Sequence, residues 1–320
     1  MGKGQIGKNM SKKFDRIAST HPLIERLTRS IWWKQALTVF EGEKDINIQM
    51  RNGYLNIYYK MNNLGKVFCK KGEVGFNIHN EFLPEGKRRK KDYVELVVQD
   101  PFLMLPRRAN RYQFAINIFS KNNLKLLKRK VAKQAHEEKT YQSKLIWRNQ
   151  NTIVDAEVAF NEQLREVVDE RGKAKTRRTR IDLLNFDCHR NKLVAIELKM
   201  AKNTELYNGK IRNQLQKYTD FLVSNKTDLQ QAYKKAIETK IVLGLLEKTS
   251  LLARVAAENI EVEPRPLLVV ICHNQKGIDA CRQKIEDSVR DLALGVYFFG
   301  KGGDLNISKK NHKNKALFPL

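Results

Sequence analysis

No stretch of the 320 residues approaches the ~18 consecutive apolar residues of a membrane-crossing helix, so no transmembrane helix and no membrane partner is expected. The N-terminus, MGKGQIGKNMSKK, is basic but lacks the apolar core of a secretory signal. Gly2 stands where a myristoylated glycine would, yet Ile6 occupies the place of the Ser or Thr that this motif wants. Cysteine is scarce and scattered at Cys69, Cys188, Cys272 and Cys281, with no C-x-x-C pair. That argues against a disulfide scaffold and fits a reducing, intracellular compartment. The histidines show no H-x-x-x-H spacing, so a zinc site is not expected. Internal repeats are absent as well.

What the chain has is positive charge. Lys and Arg number 61 against 35 Asp and Glu, a net +26. Residues 1–148 hold 31 basic and 13 acidic residues, so the excess is concentrated in the first half. Such a balance favours a polyanion, nucleic acid before a membrane surface, through phosphate contacts and counterion release. The plainer alternative is a solvated basic surface.

Hydrophobic periodicity divides the chain in two. A helix is expected from near Pro22 to Phe40, with Pro22 in its first turn. The period then falls to two: Leu55, Ile57, Tyr59 and Met61 alternate with polar neighbours, and further strands follow near 66–70, at Val74–Ile78 and at Val94–Val98. This reads as a small antiparallel sheet. The run Lys87-Arg88-Arg89-Lys90-Lys91 reads as an exposed loop. Pro101 and Pro106 mark the end of the sheet, and 110–149 reads as basic helix.

Beyond about residue 145, helices are expected at Asp155–Val168, Asn208–Val223, Leu229–Ala257 and Ile278–Leu292. Strands are expected at Arg180–Phe186, Leu193–Met200, Leu267–Cys272 and Val296–Gly300. The expected organisation is a basic α+β domain over 1–145, an α/β layer domain over 146–305 and a basic tail over 306–320.

The chemistry concentrates in Val194-Ala195-Ile196-Glu197-Leu198-Lys199. Alternation in a strand puts Glu197 and Lys199 on one face. A hairpin with the preceding strand would bring Asp182 beside Glu197. Two carboxylates can hold Mg²⁺, which keeps several waters and accepts phosphate oxygens. Lysine can position a water or stabilise developing negative charge. E-x-K also occurs at Glu85, Glu137 and Glu238, but only Glu197 follows an apolar strand with an aspartate at hairpin distance upstream. The alternative is an edge strand with a surface ion pair, worth about 0–1 kcal/mol.

Three further features accompany it. Gln214 and Tyr218 share a helical face at i and i+4. Glu157 and Asn161 do the same on the helix expected before the Asp182 strand. Arg177, Arg178 and Arg180 cluster ahead of Asp182, where a phosphate backbone could approach.

In this order Glu157, Ile181-Asp182, Glu197-Leu198-Lys199 and Gln214-x-x-x-Tyr218 resemble the PD-(D/E)xK nuclease superfamily, and the Gln/Tyr pair resembles its RecB-like branch. Ile181 stands where the name-giving motif has proline. The resemblance implies an αβββαβ restriction-endonuclease-like core with a mixed sheet. It implies Mg²⁺- or Mn²⁺-dependent cleavage of nucleic acid, usually DNA, in defence against foreign DNA or in repair. By the resemblance, Asp182 and Glu197 bind metal with the Leu198 carbonyl, and Lys199 orients or activates the water. Glu157, or Glu162 in its place, matches a helical glutamate, and Gln214 and Tyr218 order the site and the bound strand.

A non-catalytic nucleic-acid-binding protein on the same fold, and an RNA-cleaving enzyme, are the alternatives. A homodimer would suit double-strand cuts. The first half offers Trp32-Trp33, either bases' stacking partners or core, and Lys87–Lys91, which would also serve as a nuclear localisation signal in a host with a nucleus; otherwise the expected location is cytoplasmic.

Overall fold

The computed structural model describes residues 14–83, 92–106, 112–116, 120–133, 136–168, 174–187, 190–256, 260–300 and 302–307. Gly2, the Lys87–Lys91 run, Cys188 and most of the basic tail lie outside the described residues, as do the side chains of Asn161, Glu162, Arg177 and Arg178.

The described residues begin with helices α1 (Pro22–Arg29) and α2 (Ile31–Phe40) where one helix was expected. Ser30 breaks them by adopting an extended conformation, and its hydroxyl accepts the Trp33 N–H as the N-cap of α2. Such a cap contributes about 1 kcal/mol. Ser30 also donates to the Asp100 carboxylate, which accepts the Trp32 N–H too.

Strands β1 (Ile46–Arg51), β2 (Tyr54–Tyr59), β3 (Asn62–Lys70), β4 (Glu73–His79), β5 (Tyr93–Gln99), β6 (Phe102–Pro106) and β7 (Tyr112–Ile116) pair in chain order as a seven-stranded antiparallel sheet. The sheet thus runs past the two prolines that were expected to end it. Pro101 lies in the β5–β6 turn, and Pro106 closes β6 at a register shift beside β7. The stretch 110–149, read as basic helix, holds the strand β7 as well as α3 (Lys121–Ala132) and α4 (Glu137–Arg148). One face of this sheet, with Leu55, Val67, Phe76 and Leu96, shares a core with Leu27, Trp33 and Leu127 of the helices. Trp32 and Trp33 are therefore core residues, 5% and 1% exposed.

The second sheet is mixed. It contains β8 (Ile153–Val168), β9 (Ala174–Asp187) and β10 (Lys192–Met200), followed by α5 (Lys210–Ser224), α6 (Lys226–Val242) and α7 (Leu251–Ala256). β11 (Glu261–Val262), β12 (Leu267–Cys272), α8 (Gln275–Val289) and β13 (Gly295–Gly300) complete it. The order is β13-β12-β10-β9-β8; β8, β9 and β10 are antiparallel neighbours, and β10, β12 and β13 run parallel. β12 is buried on both faces, with Val269 in one core cluster and Val270 in another.

The segment expected to be a helix at Asp155–Val168 is the strand β8. It pairs with β9 along its length, with Val154, Val158 and Phe160 buried in one core cluster and Ile153 and Ala156 in another. Glu157 and Asn161 accordingly lie on a strand, not on a helix. Glu157 has φ +52°, a left-handed conformation rare for a residue with a side chain.

A buried ionic knot joins the two sheets. Asp155 accepts from Arg16 at 2.8 Å, Arg51 at 2.7 Å and the Tyr233 hydroxyl at 2.9 Å. Desolvation would raise this carboxyl, but the two guanidiniums outweigh it and hold it down to about 2. Cys69, Cys272 and Cys281 are free thiols. Among the described residues no helix is long and apolar enough to cross a membrane.

Candidate active site

β9 lies between β8 and β10, and the pairing places one carboxylate on each of the three strands in line. Ala156 and Val158 face Leu183 and Ile181, which puts Glu157 across from Asp182. Ile196 faces Leu183, which brings Glu197 to the other side of Asp182. Like charges in opposed positions of a sheet repel. Asp182 feels both neighbours: burial, then Glu197 and, more weakly, Glu157 push its carboxyl well above the usual range, while the Leu198 N–H draws it down. That N–H donates to Asp182 Oδ2 at 2.9 Å. The backbone of Asp182 is fixed from α4, where Gln142 Nε2 donates to its carbonyl at 2.8 Å.

Glu197 is 1% exposed. Its Oε1 accepts Lys199 Nζ at 2.7 Å and Gln214 Nε2 at 2.7 Å, and its Oε2 faces the Tyr218 hydroxyl. This ion pair is neither at the surface nor on an edge strand, since β10 is central. Burial raises the Glu197 carboxyl, partly offset by Lys199 and Tyr218. Burial alone would lower Lys199, but the Glu197 and Glu205 carboxylates outweigh it and raise the ammonium above its ordinary value. Lys199 therefore stays charged. It can hold a water or an anion, but it is a poor proton acceptor.

Gln214 and Tyr218 come together as their i, i+4 spacing on α5 implies. Gln214 Nε2 also donates to the Tyr218 hydroxyl at 2.9 Å. That hydroxyl has one proton and two acceptors, Glu197 Oε2 and the Arg180 carbonyl. Burial and Glu197 keep the phenol protonated. Arg180 is exposed and pairs with Glu157 at 3.1 Å.

Glu138 on α4 escaped the sequence reading. Burial raises its carboxyl, while Lys199 draws it down and Glu205 and Glu157 push it up. Glu138, on a helix, is thus within electrostatic reach of Lys199, whereas Glu157 lies on a strand. The i, i+4 relation of Glu138 to Gln142 on one helix was the available signal.

Arg180 pairs with Glu157 and Lys199 with Glu197, while Asp182 Oδ2 meets a backbone N–H; a divalent cation beside Asp182 would relieve its repulsion with Glu197. Among the described residues no three His, Cys, Asp or Glu side chains gather as a ligand set. Any ion would depend on two carboxylates, the Leu198 carbonyl and water. Magnesium tolerates so sparse a protein shell because it keeps several of its waters. Comparison with known proteins returns no matching family model, no similar curated protein and no similar solved structure.

Proposed function

We propose that the chain is a metal-dependent nuclease that hydrolyses phosphodiester bonds, DNA first among substrates, on a restriction-endonuclease-like core. The reading rests on one observation: Glu157, Asp182 and Glu197 stand in line across three strands beside a charged Lys199. The element order α4-β8-β9-β10-α5, then β12, is consistent with the αβββαβ core that the motifs imply. The net charge of +26 suits a polyanionic substrate.

Asp182, Glu197 and the Leu198 carbonyl would hold Mg²⁺ or Mn²⁺. When bound, such an ion lowers the pKa of a water and neutralises charge on a scissile phosphate. Lys199, cationic throughout, would orient the attacking water and stabilise charge on the phosphate. Gln214 and Tyr218 would fix the Glu197 carboxylate, and Arg180 would meet the backbone of the bound strand.

One observation favours a second reading, a binding protein without cleavage: both Glu197 oxygens already have partners in Lys199, Gln214 and Tyr218. The two readings separate on incubating the protein with plasmid, linear duplex, single-stranded DNA and RNA, each with Mg²⁺, Mn²⁺ or EDTA. Cleavage of any substrate with metal and not with EDTA supports the nuclease. Salt-sensitive binding with no cleavage under either metal supports the alternative.

A further inference from the structure

The N-terminal sheet has a second face, opposite its apolar core. Opposed residues of antiparallel strands share a face, and alternate residues along one strand return to it. Register puts Tyr54 and Phe68 in one row of that face, and Asn56, Lys66 and Asn77 in the next. Tyr93 and Phe102, on β5 and β6, belong to the same face and are 59% and 48% exposed. The Lys66 ammonium stands 3.8 Å from the Tyr54 ring centroid and 5.9 Å from that of Phe68. Phe68 lies against Gly75, where an added Cβ would come within 2.6 Å of the ring. Four rings, Lys66, Lys70 and amides thus share one surface with Glu95, which Lys70 pairs at 3.7 Å, over four strand spacings, about 19 Å at ~4.8 Å each.

One end of this face packs against the second sheet and α4. Arg51 is opposed to Tyr54, and its guanidinium reaches Asp155 and the Ala156 carbonyl on β8, the strand of Glu157. At the other side Tyr58, bonded to Asn56, shares a buried cluster with Tyr141 of α4, the helix of Glu138.

We propose that this face binds single-stranded nucleic acid, with bases stacked on Tyr54, Phe68, Tyr93 and Phe102 and the backbone met by Lys66, and that it leads the strand toward Asp182. Its direction rests on the nuclease reading; its binding does not. Aromatic rings stack on unpaired bases, whereas a duplex hides them and is gripped through phosphates. The net charge of +26 favours a polyanion over a second copy of the same chain.

The test is fluorescence anisotropy in EDTA with labelled single-stranded DNA and RNA oligonucleotides and a duplex of equal length. The double variant Tyr93→Ala/Phe102→Ala changes two exposed rings, and circular dichroism checks that it folds. Its affinity for single strands is expected to fall about tenfold or more, with little change for duplex. Lys66→Ala is expected to make the salt dependence shallower by about one unit of slope. Unchanged single-strand affinity in the double variant overturns the proposal. So does a wild-type dimer, seen by sedimentation, that the double variant dissolves without loss of oligonucleotide affinity. Ring-dependent binding in a protein that cleaves nothing under any metal removes the nuclease reading and leaves this one; metal-dependent cleavage with ring-independent binding does the reverse.

Discussion

Asp182 Oδ2 accepts the Leu198 N–H at 2.9 Å, just beyond the last paired residues of the two strands, Leu183 and Ile196. There a side chain takes over the bridging that backbone groups perform along the rest of the hairpin. β10 at this point turns Glu197 and Lys199 to one side and pairs with β12 on its other edge. The carboxylate of Asp182 is thereby held beside that of Glu197 in a buried place, which is costly without a proton or a cation between them.

That cost has a sign in pH. The Asp182 carboxyl is raised by burial and by Glu197, whereas in the unfolded chain it titrates near ~4. Between those values the unfolded chain has lost a proton that the folded chain keeps, so stability falls as pH rises through the window. Asp182→Asn removes the effect. In EDTA at about pH 7.5 its melting temperature is expected to exceed that of the wild type, with the gap closing toward pH ~4. Mg²⁺ or Mn²⁺ is expected to stabilise the wild type and not the variant. A variant that melts lower than wild type at the higher pH contradicts the strain argument.

Tyr218→Phe removes the one hydroxyl that joins Glu197, Gln214 and the Arg180 carbonyl. Losing such a supporting partner typically costs about 10–100-fold in metal affinity or activity. Leaving buried acceptors unpaired costs about 1–3 kcal/mol of stability. Cleavage kinetics and urea denaturation check the two effects separately; Gln214→Ala is expected to act in the same direction on rate.

Glu138 and Glu157 compete for the role of third carboxylate. Glu157 is tied to Arg180, while Glu138 is coupled to Lys199 and Glu205. Glu138→Gln is expected to lower the cleavage rate by about 10-fold or more, and Glu157→Gln by less. The reverse ranking would return the role to Glu157.

Asp155→Ala would leave Arg16 and Arg51 buried without their counter-charge. Breaking a buried pair in this way costs about 3–5 kcal/mol. Because the knot ties β1 and α6 to β8, the loss is expected in one cooperative unfolding transition by both fluorescence and circular dichroism. Loss confined to one probe would show that the two sheets unfold independently.

The constellation at Glu197 and Lys199 was legible because a strand alternates with period two, and Asp182 because a short turn joins its strand to the next. β8 was not legible. Apolar residues four apart, such as Val154 and Val158, fit a helix and a strand equally, since four is an even number of strand steps. No simple alternation was there to decide it: residues 152–156 are buried without a break, and Ala156 lies in a different cluster from Val154 and Val158. Glu138 was hidden for another reason: it sits in a basic helix, and only the packing of α4 against β10 carries it to the site. Pro101 and Pro106 misled because proline is tolerated in a turn and at a strand end, and both lie in such places. The Ser30 break depends on Asp100, seventy residues away, which no local window contains.

The most direct measurement is the rate at which wild type and Asp182→Asn cleave a labelled single strand in Mg²⁺, with binding of the same strand measured in EDTA. The expected result is metal-dependent cleavage by the wild type, abolished in the variant while binding persists. Equal cleavage by both proteins, or cleavage that continues in EDTA, would contradict a metal-assisted site at Asp182.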